Sequence, residues 1–85
     1  MYSLEIEDVV RIFKKIGKKD RKQLEAVSKK IQQILEDPYQ FKPLKHPLEG
    51  LRRVHIGSFV LKCEVVEILK KVRVLKYKHH DLAYL

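Results

Sequence analysis

The chain has one cysteine, three prolines, three glycines and no tryptophan in 85 residues. A single thiol, Cys63, excludes an internal disulfide and a zinc site built on cysteines. No apolar run approaches the roughly 20 residues that cross a bilayer. The N-terminal Glu5, Glu7 and Asp8 do not fit a signal peptide, so the expected location is the cytoplasm. No internal repeat or low-complexity segment is present.

Acidic residues are also short in number, and unevenly so. Nineteen Lys and Arg face eleven Asp and Glu, for a net charge of +8. Residues 42–85 hold ten basic and four acidic residues, so most of the excess lies in the C-terminal half. Such an excess fits either a solvated, Lys-rich surface or an anionic partner, nucleic acid or acidic protein. The plentiful Val, Leu and Ile argue for a folded core, and the length suits one domain over residues 1–85.

Periodicity gives the order of elements. Tyr2, Leu4 and Ile6 alternate as a short strand. Asp8 is placed to cap a helix carrying Val9, Ile12, Phe13 and Ile16, with Gly17 as its expected end. Asp20 is placed to cap a longer helix to about Glu36, whose apolar stripe is Leu24, Val27, Ile31, Ile34 and Leu35. Asp37-Pro38 stops it, because proline disfavours helical geometry at the residue before it. Tyr39 to Gly50 reads as a connection.

Beyond it, Leu51–Ile56 and Phe59 to about Val66 form a hairpin through Gly57-Ser58, a pair suited to a type II′ turn. A final strand spans roughly 72–78. The fold class expected is α+β, with two helices on one face of a small antiparallel sheet in the order β-α-α-β-β-β. Alternation sends Val54, Ile56, Phe59, Leu61, Cys63 and Val65 toward the helices. Arg53, His55, Val60 and Lys62 then share the open face, a surface suited to phosphate.

His79-His80 suggests a metal, but on a continuing strand adjacent residues point to opposite faces, and no cysteine or carboxylate pair completes a set. No metal and no cofactor are therefore expected. His46, between Lys45 and Pro47, reads as ordinary surface. Tyr77 reads as packing, and Cys63 as a small core residue. The run Lys14, Lys15, Lys18, Lys19, Arg21 and Lys22 reads as solvated surface.

Several segments together resemble the RelE/ParE superfamily of toxins from type II toxin-antitoxin systems, across almost the whole chain. They are Asp37-Pro38-Tyr39, Lys42-Pro43-Leu44, Leu48-Glu49-Gly50-Leu51-Arg52-Arg53-Val54, Gly57-Ser58-Phe59 and the terminal His79 to Tyr84. The resemblance is closest to the compact RelE-like members. It implies a ribosome-dependent, metal-independent endoribonuclease that cuts messenger RNA by attack of a ribose 2′-hydroxyl on the adjacent phosphate. It also implies neutralisation by a RelB-like antitoxin.

The resemblance assigns catalytic roles to Arg53, His55, His80 and Tyr84, and RNA contacts to Arg52, Lys62, Lys76, Lys78 and His79. Arg53 and His55 match two basic positions of the second strand. Where the family usually has arginine after the aromatic residue of the third strand, this chain has Phe59-Val60, and His80 stands in place of a second arginine. Lys62 lies two residues along the same face as Val60. These departures keep alive a second reading, a weak or inactive relative that acts by binding, such as a ParE-like inhibitor of DNA gyrase. A small RNA-binding module without a toxin role is a third.

Overall fold

Two aspartates set the limits of the longest helix, as the sequence predicts. In the computed structural model, which describes residues 1–44 and 50–83 and side-chain surroundings as far as Asp81, α2 spans Arg21–Glu36. The Asp20 carboxylate accepts the Gln23 N–H at 3.1 Å, satisfying one of the amides that every helix start leaves open. At the other end Asp37 accepts the Tyr39 N–H at 3.1 Å and opens a 3-10 turn, Pro38–Gln40.

The preceding helix departs from expectation at both ends. Asp8 lies inside a 3-10 turn, Glu7–Val9, and α1 spans Val10–Lys19 without a side-chain cap. Gly17 is not its end. A Cβ at Gly17 would stand 3.0 Å from Leu24 Cδ2, so glycine there permits close approach of α1 to α2. A glycine near a predicted helix end has two physical uses, and only tertiary packing tells them apart.

The strands are β1 (Ser3–Glu5), β2 (Leu51–Ile56), β3 (Phe59–Val66) and β4 (Lys71–His79). They form one sheet in the order β1-β4-β3-β2. The hairpin is as predicted, with Gly57 at φ 59°, the left-handed value that a type II′ turn asks of its first residue. The α+β class and the two helices on one sheet face also match. The sheet is mixed, however, because β1 runs parallel to β4, with Ser3 opposite Lys71 and Glu5 opposite Arg73. Alternation shows which residues share a face but carries no information on strand direction.

Between β3 and β4 a 3-10 turn, Glu67–Leu69, leads to Lys70 at φ 49°, so a lysine occupies the left-handed position usually given to glycine. The β3–β4 ladder also slips between Lys62 and Cys63, a bulge. Helix residues Val9, Phe13, Val27, Ile34 and Leu35 pack against Val54, Ile56, Leu61, Cys63, Val72, Val74 and Tyr77. Each fully buried aliphatic side chain contributes roughly 1.5–3 kcal/mol of transfer free energy. Tyr77 packs as expected: its ring meets Phe13 edge-on at 5.7 Å and Phe59 face-on at 5.1 Å, and its hydroxyl accepts Gln23 Nε2–H at 2.8 Å. Burial raises its phenol above the ordinary range.

Candidate functional site

The sheet face turned away from the helices carries residues in cross-strand rows. In one row Arg53 lies opposite Lys62, and Lys62 opposite Lys76. In the next, His55 lies opposite Val60, and Val60 opposite Lys78. Opposite side chains start about 4.5–5.5 Å apart at Cβ, so five basic groups from three strands share one small area. His55, Lys76 and Lys78 are exposed; Arg53 and Lys62 are half-buried. Among the described residues no carboxylate pairs with Lys62, Lys76 or Lys78.

The rest of this face is neutralised. Arg73 lies opposite both Glu64 and Glu5; it reaches Glu64 Oε1 at 3.0 Å and also donates to Glu5. Lys71 Nζ adds a 3.2 Å contact to Glu5. The Arg73 and Lys71 hydrogen bonds hold the Glu5 carboxyl below its usual range. One end of the face therefore carries these ion pairs, and the other gathers Arg53, His55, Lys62, Lys76 and Lys78.

Val60 occupies the middle of the cationic end. It is 1% exposed although it lies on the face opposite the main core. The valine that stands where the family usually has arginine is thus a buried apolar floor among His55, Lys62 and Lys78.

Two residues expected to contact RNA lie elsewhere. Arg52 alternates to the helix side, where it is 6% exposed with its guanidinium carbon 4.9 Å from the Tyr39 ring centre. His79 lies opposite Phe59 and meets its ring edge-on at 5.4 Å. Both placements follow from alternation: neighbours of open-face residues point inward.

His80 departs from expectation differently. The strand ends at His79 and a short helix, α3 (His80–Ala83), begins at His80, so the two imidazoles are not on opposite faces of a strand. Their rings lie 4.9 Å apart. The His80 N–H donates to Ser58 O at 2.8 Å, which fixes α3 to the hairpin turn, the end of the sheet where His55 and Lys78 lie. His80 Nε2 is 2.9 Å from Asp81 Oδ1. Sequence reasoning misses this grouping because, with the last strand expected to end near Lys78, it still weighs His79-His80 with strand geometry; the run His-Asp-Leu-Ala, with an acid in a first turn, is the available sign of a helix start. Tyr84 and His46 lie outside the described residues.

A second polar cluster ties the opposite corner together. Glu67 accepts hydrogen bonds from the Tyr2 and Tyr39 hydroxyls and pairs with Lys70. The Lys70 hydrogen bond, followed by those of Tyr2 and Tyr39, brings the Glu67 carboxyl down to about 2. The same carboxylate pushes the Tyr39 phenol up to about 12.

The family model described as the ParE toxin of the type II toxin-antitoxin system, parDE, matches residues 6–83. The putative toxin RelE4 of Methanocaldococcus jannaschii is 42% identical over 86 residues, covering 99% of this chain and 92% of its own. An uncharacterised protein of Methanosarcina mazei is also 42% identical, over 99% of this chain and all of its own length. Among solved structures, a chain of the toxin-antitoxin complex RelBE2 from Mycobacterium tuberculosis superposes with a TM-score of 0.71 at 21% identity, covering 92% of this chain and 96% of its own. The isolated RelE toxin of E. coli gives 0.70 at 21% identity, over 93% and 84%. With sequence relatives and fold in agreement, the chain belongs to the RelE/ParE superfamily of type II toxin-antitoxin toxins.

Proposed function

We propose that this toxin is a ribosome-dependent messenger RNA endonuclease whose substrate lies across the open sheet face. The observation that carries the reading is the row Arg53, Lys62 and Lys76. Like charges placed directly opposite on neighbouring strands destabilise a sheet, so the Lys62–Lys76 pair lowers stability unless an anion lies over it. A phosphodiester backbone supplies that anion repeatedly.

In this reading Arg53 holds the scissile phosphate through its planar fork, and Lys62 and Lys76 offset the charge that develops on the phosphorane. His55, exposed one row away, exchanges the proton of the 2′-hydroxyl or of the leaving 5′-oxygen. Lys78 tracks the adjoining phosphate. His80 and Tyr84 act from the C-terminal segment, Tyr84 by stacking on a base beside the cut. A neutralising antitoxin covers the helices and this face.

Induced expression followed by mapping of message ends on translating ribosomes tests the proposal. Cuts within the decoding site, lost with Arg53→Ala by roughly 10²–10³-fold, are expected. The filled position of Val60 and the histidine at position 80 favour one competing reading, a toxin that acts by binding, with DNA gyrase as the target. Intact messages during growth arrest, together with inhibited supercoiling by purified gyrase, would replace the nuclease reading with that one.

A further inference from the structure

The junction of β4 and α3 brings together three groups that the RNA chemistry does not need as a set. One donor atom from each of His79, His80 and Asp81 lies within 4.8 Å of the others. Asp81 Oδ1 is 2.9 Å from His80 Nε2, and Asp81 Oδ2 is 3.5 Å from His79 Nδ1. Metal bonds of about 2.0–2.2 Å put neighbouring donors roughly 3.0–3.5 Å apart in tetrahedral or octahedral sets. Two of the separations already match; His79 Nδ1 accepts the Asp81 backbone N–H at 3.3 Å, and rotation of the half-exposed ring exchanges that hydrogen bond for a metal bond.

Both imidazoles are held from behind. His80 Nδ1 lies 3.3 Å from Ser58 O, the carbonyl that also accepts the His80 backbone N–H. A proton on Nδ1 directed at that carbonyl leaves the Nε2 lone pair facing the Asp81 carboxylate. In that tautomer the 2.9 Å separation places two acceptors where one metal ion can bridge them, whereas the other tautomer makes the same contact an N–H···O hydrogen bond. A ring nitrogen bonded to a backbone carbonyl is also the arrangement that orients a histidine ligand from outside a metal centre. His79 is steadied by the Phe59 ring edge, and Phe59 is itself stacked on buried Tyr77.

We propose that His79, His80 and Asp81 form a site for one divalent transition metal ion, with water completing its coordination. Two imidazoles and one carboxylate favour zinc or nickel over magnesium or calcium, which prefer sets made wholly of oxygen. The three ligands are consecutive in sequence, so the site depends on the strand ending at His79 and the helix starting at His80. An ion held here takes Nε2 of His80 away from the role that the nuclease reading gives it, so inhibition of cleavage rests on that reading while binding of the ion does not. The metal site stands independently of the nuclease reading.

The test is titration of the untagged full chain, first stripped with chelator, with nickel or zinc alone, followed by calorimetry. One equivalent is expected to bind, with affinity falling at least about tenfold in His80→Ala and in Asp81→Asn. His55→Ala is expected to bind as the parent does. Paramagnetic nickel is expected to broaden the amide resonances of Ser58, His79, His80 and Asp81 first, a readout that needs no variant to fold. No saturable binding to the parent chain, or equal binding by the parent and His80→Ala with broadening centred elsewhere, would overturn the site.

Discussion

Arg53 and Lys62 lie directly opposite each other on the β2–β3 ladder, on the sheet face that the helices leave open. On its other side Lys62 lies opposite Lys76, and these two ammonium groups repel. Lys62→Ala should therefore leave the fold intact or stabilise it by about 0.2–1 kcal/mol in urea unfolding. RNA binding by the same variant should weaken, with a shallower dependence on salt. A stability loss above about 1 kcal/mol would show that Lys62 is structural.

Glu67 gives a prediction about pH. Its carboxyl titrates at about 2 in the folded chain and near 4.5 when free, so the stability it contributes is present above pH 4.5 and is lost as pH falls through about 2. Tyr39 has the opposite sign. Its folded value of about 12 exceeds the free value of 10, so its contribution is present below pH 10 and is lost as pH rises through about 12. In Glu67→Gln, ultraviolet titration should show the Tyr39 phenol ionising closer to pH 10, and the acid limb of the stability curve should flatten. An unchanged phenol titration would remove Glu67 as the cause.

Gly17 sets a size limit at the crossing of α1 and α2. Gly17→Ala gains up to about 1 kcal/mol of helix propensity but presses Leu24 Cδ2, the mobile end of a side chain, at 3.0 Å. The net change should stay within about 1 kcal/mol. Gly17→Leu has no comparable escape and should destabilise the chain by about 1–3 kcal/mol, measured by chemical denaturation. If leucine is tolerated as well as alanine, the two helices are not in close contact there.

Cys63 is fully buried, and burial pushes its thiol up to about 11. Thiol reagents should leave the native chain unlabelled at neutral pH and label it fully in denaturant. The labelling rate then reports opening of the sheet. Rapid native labelling would contradict the burial.

The hairpin and the limits of α2 were legible because local chemistry determines them: alternating side chains around Gly57-Ser58, and short acids at Asp20 and Asp37. Family membership was legible from the same segments. What escaped was decided by distant partners. The parallel direction of β1 depends on residues 71–73, the role of Gly17 depends on Leu24, and Val60 is buried on a face whose residues otherwise looked solvent-directed. At the C-terminal junction, Ser58 accepts the His80 amide and helps set where strand becomes helix. No local pattern announces a partner 22 residues upstream.

The pairing of β1 with β4 imposes an order on biosynthesis. β1 can close only against a strand made much later, since Glu5 must find Arg73, 68 residues away. Until β4 emerges, β1 has no neighbour, and the β3 edge that β4 will cover stays open. A nascent chain stalled before residue 71 therefore lacks the completed sheet and the Lys76 and Lys78 side of the cationic face. Synthesis itself delays the toxin's assembly until β4 has emerged.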